Sequence, residues 1–462
     1  MLNARTLIAM YRLGNKILNI YGLPGGGKTR TVVYSMILLA RALGTRLIVS
    51  VPLRSLRNWL VERYIPSLGY SAEMIRSKEE TCQHVRDSIH DCSNILEYLY
   101  NLVRTCGECG ESYCEFRSQI REFFQGSGHI WVMTHNLLYV LYLMNSRVFN
   151  RTILVIDEAD SLADLYRLAF TRRELEHAVR NMRRDRYWRE VVRRVLRSVI
   201  QFGNLYFYRP ELPLGRLTVL ISATLHPRVI SCFNIPQTYT IYYAGIRAQV
   251  LDRYVLYPQY LSSIEGIEQR AGKYLSPSRW VPELAETVID LVDRGKSIGI
   301  ASKNYQITLR LEEMLRERGI DVRSDVSCRE PPHYGENIQV IIWTTRGRWF
   351  RGVSLPDTDI IFCLYQTPTG ADPTYMTHGY CDDDLDLAYD MVRIMNNAVN
   401  VQSYYRSNRR RDMEHTVVLL DVRSWEAMIE TLRHYANVVR GDWYQRLSRP
   451  VKIRTVKELV EE

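Results

Sequence analysis

The sequence predicts an α/β protein with two doubly wound parallel-sheet domains in tandem. Three observations carry that reading. Short apolar runs recur along the chain without the in–out alternation of a half-solvated strand, the pattern of strands buried on both faces of a parallel sheet. Helical patterns alternate with those runs, and repeated strand–helix units wind a parallel sheet. A Tyr-rich connection after about residue 240 divides the runs into two series.

The first series holds Ile17 to Tyr21, Leu47 to Val51, Ile130 to Met133, Ile153 to Ile156 and Thr218 to Ile221. Thr29 to Leu43 is the helix after the first run, and Gly44 stops it. The second series holds Ile298 to Ala301, Val340 to Trp343, Ile360 to Leu364 and Val417 to Leu420. Two segments break the rhythm of the first domain. Residues 76–128 carry a cysteine cluster and little β character. Residues 171–215 form a basic insertion, read as helical over 171–201, where arginines pair at 172–173, 183–184 and 193–194. The resulting plan is a first domain over 1–240, a linker over 241–275, a second domain over 276–440 and a tail over 441–462. Asp382 to Asp386 reads as a solvated acidic loop.

A chain of 462 residues suffices for two or three domains. No run approaches the ~20 apolar residues of a membrane-spanning helix, and Arg5, Arg12 and Lys16 interrupt any signal-peptide pattern. The expectation is a soluble, cytoplasmic protein without a membrane partner. The net charge of +10 is almost wholly arginine, since Lys occurs eight times. That suits a polyanionic partner, because guanidinium groups bind phosphate bidentately and stack on bases; an Arg-biased soluble surface is the plain alternative. Of nine cysteines, Cys82, Cys92, Cys106, Cys109 and Cys114 crowd one stretch, which points to a metal or cluster site rather than a disulfide scaffold.

Gly22-Leu-Pro-Gly-Gly-Gly-Lys28-Thr29 matches G-x-x-x-x-G-K-[ST] between a predicted strand and a predicted helix, the setting that confirms a P-loop. Gly22, Gly25, Gly26 and Gly27 let backbone N–H groups wrap phosphates, and the helix start adds partial positive charge. Lys28 is placed to reach the β- and γ-phosphates of ATP, and Thr29 to ligate Mg²⁺. Ile153-Leu-Val-Ile-Asp157-Glu158-Ala159-Asp160 carries carboxylates to the C-terminal edge of the sheet, where α/β ligands bind. Asp157 is the expected Mg²⁺ residue, acting through water, and Glu158 the residue that polarises the attacking water. Capping of the next helix is the plain reading of Asp160. Together the motifs predict hydrolysis of ATP or GTP.

With those motifs in place, the rest of the chain resembles superfamily-2 helicases, in which Asp-Glu-Ala-Asp is itself a signature. Ser222-Ala223-Thr224 looks like that superfamily's motif joining the ATP site to nucleic acid. Gln402-Ser-Tyr-Tyr-Arg406-Ser-Asn-Arg409 looks like its Q-x-x-G-R-x-x-R, with Tyr405 where glycine is usual. Within the superfamily the chain is similar to the XPD and DinG group of iron–sulfur helicases. Arg346-Gly347-Arg348 followed by Arg351-Gly352-Val353-Ser354 resembles that group's Arg-Gly-Lys…Glu-Gly-Ile-Asp, with Arg351 and Ser354 replacing its two acids. Val417-Val-Leu-Leu-Asp421-Val-Arg423 resembles its Val-Leu-Leu-Asp-x-Arg ending, and Thr134-His135-Asn136-Leu137-Leu138 its Asn/His segment. Val51-Pro-Leu-Arg54-Ser55-Leu-Arg57 falls where the first nucleic-acid contact motif belongs. The 171–215 insertion is short beside XPD's helical arch, and Asp-Glu-Ala-Asp stands for Asp-Glu-Ala-His.

The resemblance implies two tandem RecA-like domains with ATP between them, and Gly352 and Ser354 beside the nucleotide. It places Lys28, Asp157, Glu158, Gln402, Arg406 and Arg409 in catalysis. The two arginines, three apart and so on one helical face, reach for the γ-phosphate. It implies translocation on single-stranded DNA, 5′ to 3′, with unwinding of duplex. A nucleoprotein-remodelling translocase and a nucleotide-binding nucleic-acid scaffold are the alternatives.

The cysteines lie between the first contact motif and the Asp-Glu-Ala-Asp strand, as in XPD. Cys92-x13-Cys106-x2-Cys109-x4-Cys114 supplies four thiolates for a [4Fe–4S] cluster. Zinc on the last three with Cys92, His84 or His90 is one alternative; Cys82 in place of Cys92, or free core thiols, are others. The implied strand track runs through Arg54, Ser55, Ser302, Lys303, Thr344 and Thr345, which hold phosphate without reading bases. Trp343, Trp349 and Tyr305 either stack on bases or pack in the core. Single-stranded or forked DNA is the expected partner, with RNA the alternative.

Overall fold

A computed structural model describes residues 4–12, 14, 16–22, 27–82, 114–126, 129–162, 169–173, 176, 199–202, 205–208, 212–225, 239–242, 253–256, 277–302, 304–328, 330–333, 335–345, 347, 349, 355–364, 385–407, 415–420, 425–426, 428–431 and 451–452. The chain divides into two compact units, one around each of two seven-stranded sheets.

The strands of the N-terminal half are β1 (Ile17–Tyr21), β2 (Arg46–Val51), β3 (Glu73–Met74), β4 (Ile130–Thr134), β5 (Thr152–Asp157), β6 (Ala169–Thr171), β7 (Val199–Phe202), β8 (Leu205–Tyr208), β9 (Leu217–Ser222) and β10 (Tyr239–Tyr242). The first sheet is parallel throughout, in the order β10-β1-β9-β5-β2-β4-β3. Every residue of β1, β5 and β9 is buried, which is why these strands read as uninterrupted apolar runs. Helix α1 (Ala4–Arg12) precedes β1, and α2 (Lys28–Ala42) follows it. Leu18, Ile20, Val49, Val132, Val155 and Val219 pack against Val32, Val33, Met36 and Ile37 of α2. Each fully buried aliphatic side chain of this kind contributes about 1.5–3 kcal/mol.

After β2 the chain turns into α3 (Arg54–Trp59), which runs on through a wide turn to Ser67. Short α4 (Lys78–Thr81), α5 (Glu115–Gln125) and α6 (His135–Met144) complete the described helices of this unit that bear on the site.

The second unit contains β11 (Arg253–Leu256), α7 (Pro277–Asp293), β12 (Ile298–Ser302), α8 (Tyr305–Glu317), β13 (Val322–Ser324), β14 (Val340–Thr344), β15 (Ile360–Cys363), α9 (Leu385–Tyr404) from Arg393 onward, β16 (Thr416–Leu419) and β17 (Val451–Lys452). Its sheet is again parallel, in the order β13-β14-β12-β15-β16-β11-β17. Val281, Leu284 and Val288 of α7 and Leu311 and Leu315 of α8 pack on Ile300, Ile342 and Phe362 of the strands. The nine apolar runs read from the sequence are all strands, to within one or two residues at their ends. The sheets also reach further than those runs: β11 falls in the stretch read as linker and β17 in the stretch read as tail.

The basic insertion requires a correction. Its described part is not an uninterrupted helix, because β6, β8 and β7 form a three-stranded antiparallel sheet in that order. Val199-Ile-Gln-Phe and Leu205-Tyr-Phe-Tyr are rich in β-branched and aromatic residues, and two residues, Gly203 and Asn204, separate them. That is hairpin chemistry. Helical turn survives at Arg172, Arg173 and Glu176. No helix among the described residues is long and apolar enough to cross a membrane.

Candidate functional site

In the first sheet β9 lies between β1 and β5, with Tyr21 beside Ser222 and Asp157 beside Ile221. Parallel pairing sends all three strands out at the same edge, so Tyr21, Ser222 and Asp157 emerge together. Gly27 has φ +79°, a conformation glycine adopts without strain, and Lys28 then opens α2. Residues 23–26, with Gly25 and Gly26, lie outside the described residues. The Thr29 hydroxyl donates to Asp157 Oδ2 at 2.8 Å, joining the two motifs across 128 positions.

Asp157 is buried. Burial, and next the charge of Glu158, push its carboxyl up to about 7, while the Thr29 hydrogen bond and the Lys28 charge pull the other way. A buried carboxylate facing a hydroxyl, raised this far, is the donor set that a divalent cation relieves. Thr29 and Asp157 therefore fit Mg²⁺.

Glu158 sits at φ 50°, ψ 50°, the one non-glycine at positive φ among the described residues. Left-handed backbone costs a non-glycine residue about 1–3 kcal/mol and persists where surrounding bonds impose it. Here Ser161 donates to the Glu158 carbonyl twice, from its N–H at 2.9 Å and its hydroxyl at 2.7 Å. One residue back, the Asp157 carbonyl lies 2.8 Å from His135 Nε2. Asp160, read from sequence as a helix cap, instead accepts from the Ser222 hydroxyl at 2.8 Å, and Thr224 N–H donates to that same Ser222 oxygen at 2.9 Å. The His135–Asp157 and Ser222–Asp160 pairs depend on strand order, so no local signal announces them.

On α3, Arg57 is buried and grips Glu80, with Nη1 to Oε2 at 2.9 Å and Nη2 to Oε1 at 2.5 Å. Burial raises the Glu80 carboxyl, but the bonds from Arg57 and Ser77 outweigh it and hold it at about 2. Arg54, a predicted phosphate contact, is half exposed and ion-paired with Glu79, and it also donates to Ser77 Oγ at 3.1 Å. Ser55, the other predicted contact there, is exposed. Arg76 binds Gln119 through its backbone N–H at 2.9 Å and faces Glu115 at 3.8 Å, so the chain before Cys82 and after Cys114 runs side by side. Cys82 and Cys114 are half-buried free thiols. Cys92, Cys106 and Cys109 lie outside the described residues, and among the described residues no three His, Cys, Asp or Glu side chains cluster as a metal site.

In the second unit, Ser302, Thr344 and Thr345 stand at the ends of neighbouring β12 and β14, all buried. Two of the hydroxyls are bonded within the protein: Ser302 Oγ donates to the Asn304 carbonyl at 3.3 Å, and Thr344 Oγ1 to Asp325 Oδ2 at 2.9 Å. Asp325, which the sequence did not single out, is buried and also accepts from Thr344 N–H. Gly347 closes this turn, because a Cβ there would lie 1.8 Å from both Asp325 Oδ2 and Thr344 Oγ1.

Of the two readings of Trp343 and Trp349, core packing is the one the structure shows: both are fully buried, and the Trp343 indole donates to the Ser403 carbonyl at 3.1 Å. Tyr305 remains available, 59% exposed at the start of α8. Gln402 and Arg406 are buried. Helix α9 ends at Tyr404, so Arg406 lies in a turn and not on a helical face. The backbone draws it there, since Leu355 N–H donates to the Arg406 carbonyl at 3.3 Å and Thr358 N–H to that of Ser407 at 3.1 Å. Lys303, Gly352, Ser354 and Arg409 lie outside the described residues.

No protein-family model and no curated protein matches the sequence. Among solved structures, the chain is similar to that of an XPD helicase, at 12% identity and TM-score 0.56, covering 98% of each chain. It is also similar to Xpd4 of S. tokodaii, at 13% identity and TM-score 0.53, covering 97% of this chain and 98% of that one. The fold is thus two RecA-like parallel α/β domains in tandem, as in those solved structures.

Proposed function

We propose that this chain is an ATP-driven motor that moves along a single nucleic-acid strand and parts duplex. The observation that carries the reading is the Thr29–Asp157 hydrogen bond beside the constrained Glu158, which brings a phosphate-binding helix start and two carboxylates to one sheet edge. Lys28 compensates the charge of the transferring phosphoryl group, and Thr29 and Asp157 hold Mg²⁺. The bound ion supplies Lewis-acid stabilisation of phosphate oxygens. Glu158 accepts the proton of the water that attacks the γ-phosphorus as ADP departs. Arg406 and Arg409, with Gln402, act on the transferred group; such arginines contribute ~10³–10⁵ in rate.

Single-stranded or forked DNA as substrate and 5′ to 3′ movement rest on the resemblance to the XPD group, and the arginine-borne charge of +10 supports a polyanionic partner. Gly352, Ser354 and Lys303 keep their proposed nucleotide and strand roles from the same resemblance. A [4Fe–4S] cluster on Cys92, Cys106, Cys109 and Cys114 rests on spacing; iron and acid-labile sulfide in anaerobically purified protein test it, and one equivalent of zinc without iron defeats it. A second reading, translocation without strand separation, draws support from the small sheet β6-β8-β7 where XPD carries a large arch.

The test is ATP turnover with and without single-stranded DNA, followed by unwinding of a forked duplex. Lys28→Ala should lower turnover by at least about 10²–10³. Undiminished strand-stimulated hydrolysis in that variant defeats the proposal, and turnover without unwinding selects the second reading.

A further inference from the structure

His135 is the first residue after β4, and it is buried together with Ser50 of β2. Strand β2 lies between β4 and β5, so the imidazole spans from one flank of β2 to the other. Its Nε2 lies 2.8 Å from the Asp157 carbonyl and its Nδ1 2.6 Å from the Ser50 hydroxyl. A carbonyl only accepts, so Nε2 carries the proton; in the neutral ring Nδ1 is then the acceptor, and Ser50 donates to it. Any buried imidazole has to satisfy both nitrogens; what sets this one apart is which partners it has, the last residue of the strand that leads to Glu158 and the next-to-last of the strand that leads to Arg54.

The Asp157 carbonyl belongs to the peptide that joins Asp157 to Glu158. Holding that oxygen restrains the rotation on either side of the peptide, including the positive φ of Glu158. Ser161 secures the opposite end of the same residue. Ser50 stands four positions before Arg54, next to the end of β2, so the head of α3 is joined to His135 through Ser50.

We propose that His135 is a positioning residue for hydrolysis: it fixes the Asp157–Glu158 peptide, and with it the place of the Glu158 carboxylate, and it couples that place to the end of β2 from which the Arg54 helix springs. This rests on the reading of Glu158 as the group that activates water. The imidazole touches neither phosphate nor water in this role. It acts through the backbone.

The test uses the full chain with His135→Leu, His135→Gln, Ser50→Ala and Glu158→Gln. Turnover is measured with and without saturating oligo-dT, together with affinity for a fluorescent ATP analogue and thermal melting. His135→Leu should lower kcat roughly 10–100-fold, the usual loss for a supporting partner of a reacting group, and leave nucleotide affinity within about threefold. His135→Gln, whose amide N–H replaces the Nε2 donor, should recover most of that loss. Ser50→Ala should chiefly lower the ratio of strand-stimulated to unstimulated turnover. Wild-type kcat in His135→Leu overturns the proposal, as does a His135→Gln no better than His135→Leu. If His135→Leu does not fold, Ser50→Ala decides: an unchanged stimulation ratio overturns it. Loss of turnover in Glu158→Gln with none in the His135 and Ser50 variants sinks the relay alone. A wild-type chain that hydrolyses no ATP, or a fully active Glu158→Gln, sinks the functional reading and the relay with it.

Discussion

The Ser222 hydroxyl donates to the Asp160 carboxylate at 2.8 Å, tying the last residue of β9 to the turn that follows β5. Both residues are buried, and Thr224 N–H closes onto the same hydroxyl. The Ser-Ala-Thr segment is therefore not a neighbour of the acidic turn by strand order alone. One oxygen holds the two together, so the segment after β9 and the turn that carries Glu158 share a buried bond.

That bond has a measurable size. Ser222→Ala removes one hydrogen bond from a buried carboxylate and one from a buried N–H, a loss of about 1–3 kcal/mol. A double-mutant cycle with Asp160→Asn, read by denaturant unfolding of the first unit's transition, should return about 0.5–3 kcal/mol of coupling. Additive single losses would mean the two side chains do not interact in solution.

Asp157 makes a pH prediction. Its carboxyl is pushed up from an ordinary 3.8 to about 7 in the nucleotide-free protein. The folded state therefore holds this proton where the unfolded chain has released it. Its contribution is fully present below about pH 4, falls as pH rises, and is gone above about pH 7. Asp157→Asn removes that dependence, so the variant should gain stability over wild type as pH climbs from about 4 to 7, by at most about 4 kcal/mol. Melting of both proteins without nucleotide or Mg²⁺ checks it. A difference that stays flat across this range means the carboxyl titrates normally.

The strands were legible because burial on both faces writes itself as an unbroken apolar run, and the Thr29–Asp157 pairing was legible because each partner sits in a motif of fixed spacing. Glu158's left-handed backbone was not, since Ser161 and His135 impose it and only strand order brings His135 there. Asp325 carries no motif: it serves the backbone of Thr344, 19 positions on. The β7–β8 hairpin was written plainly in Gly203-Asn204 between two β-rich runs, yet the arginine pairs upstream favoured a helix. Short β11 and β17 hold four and two residues, too few to show a period, and owe their place to pairing with β16 and with each other.

Gly347→Ala adds one methyl group where the nearest oxygens would stand at 1.8 Å. Neither can remain, so the Asp325 carboxylate must leave Thr344 and the turn after β14 must open. If this turn serves the strand track, affinity for single-stranded DNA should fall by about tenfold, the effect of one or two lost polar contacts, while ATP-analogue affinity holds. Equal losses in both affinities, or none in either, would detach this turn from strand binding.

Arg54 is proposed to grip phosphate, yet in this structure Glu79 already occupies it. A strand must therefore displace Glu79 before it gains the guanidinium. Exposed ion pairs of this kind contribute no more than about 1 kcal/mol, so the carboxylate weakens binding by severalfold without abolishing it. Glu79→Gln removes the competitor and its charge, and should tighten binding to oligo-dT by about two- to fivefold at low salt, less at high salt. Arg54→Ala should weaken binding and flatten the salt dependence by about 0.7 in log–log slope, the share of one phosphate on a single strand. The decisive measurement combines them. In an Arg54→Ala background, Glu79→Gln should have nothing left to release, and its gain should vanish. A gain that persists without Arg54 would show that Glu79 repels the strand directly, and an unchanged slope in Arg54→Ala would place the phosphate track elsewhere.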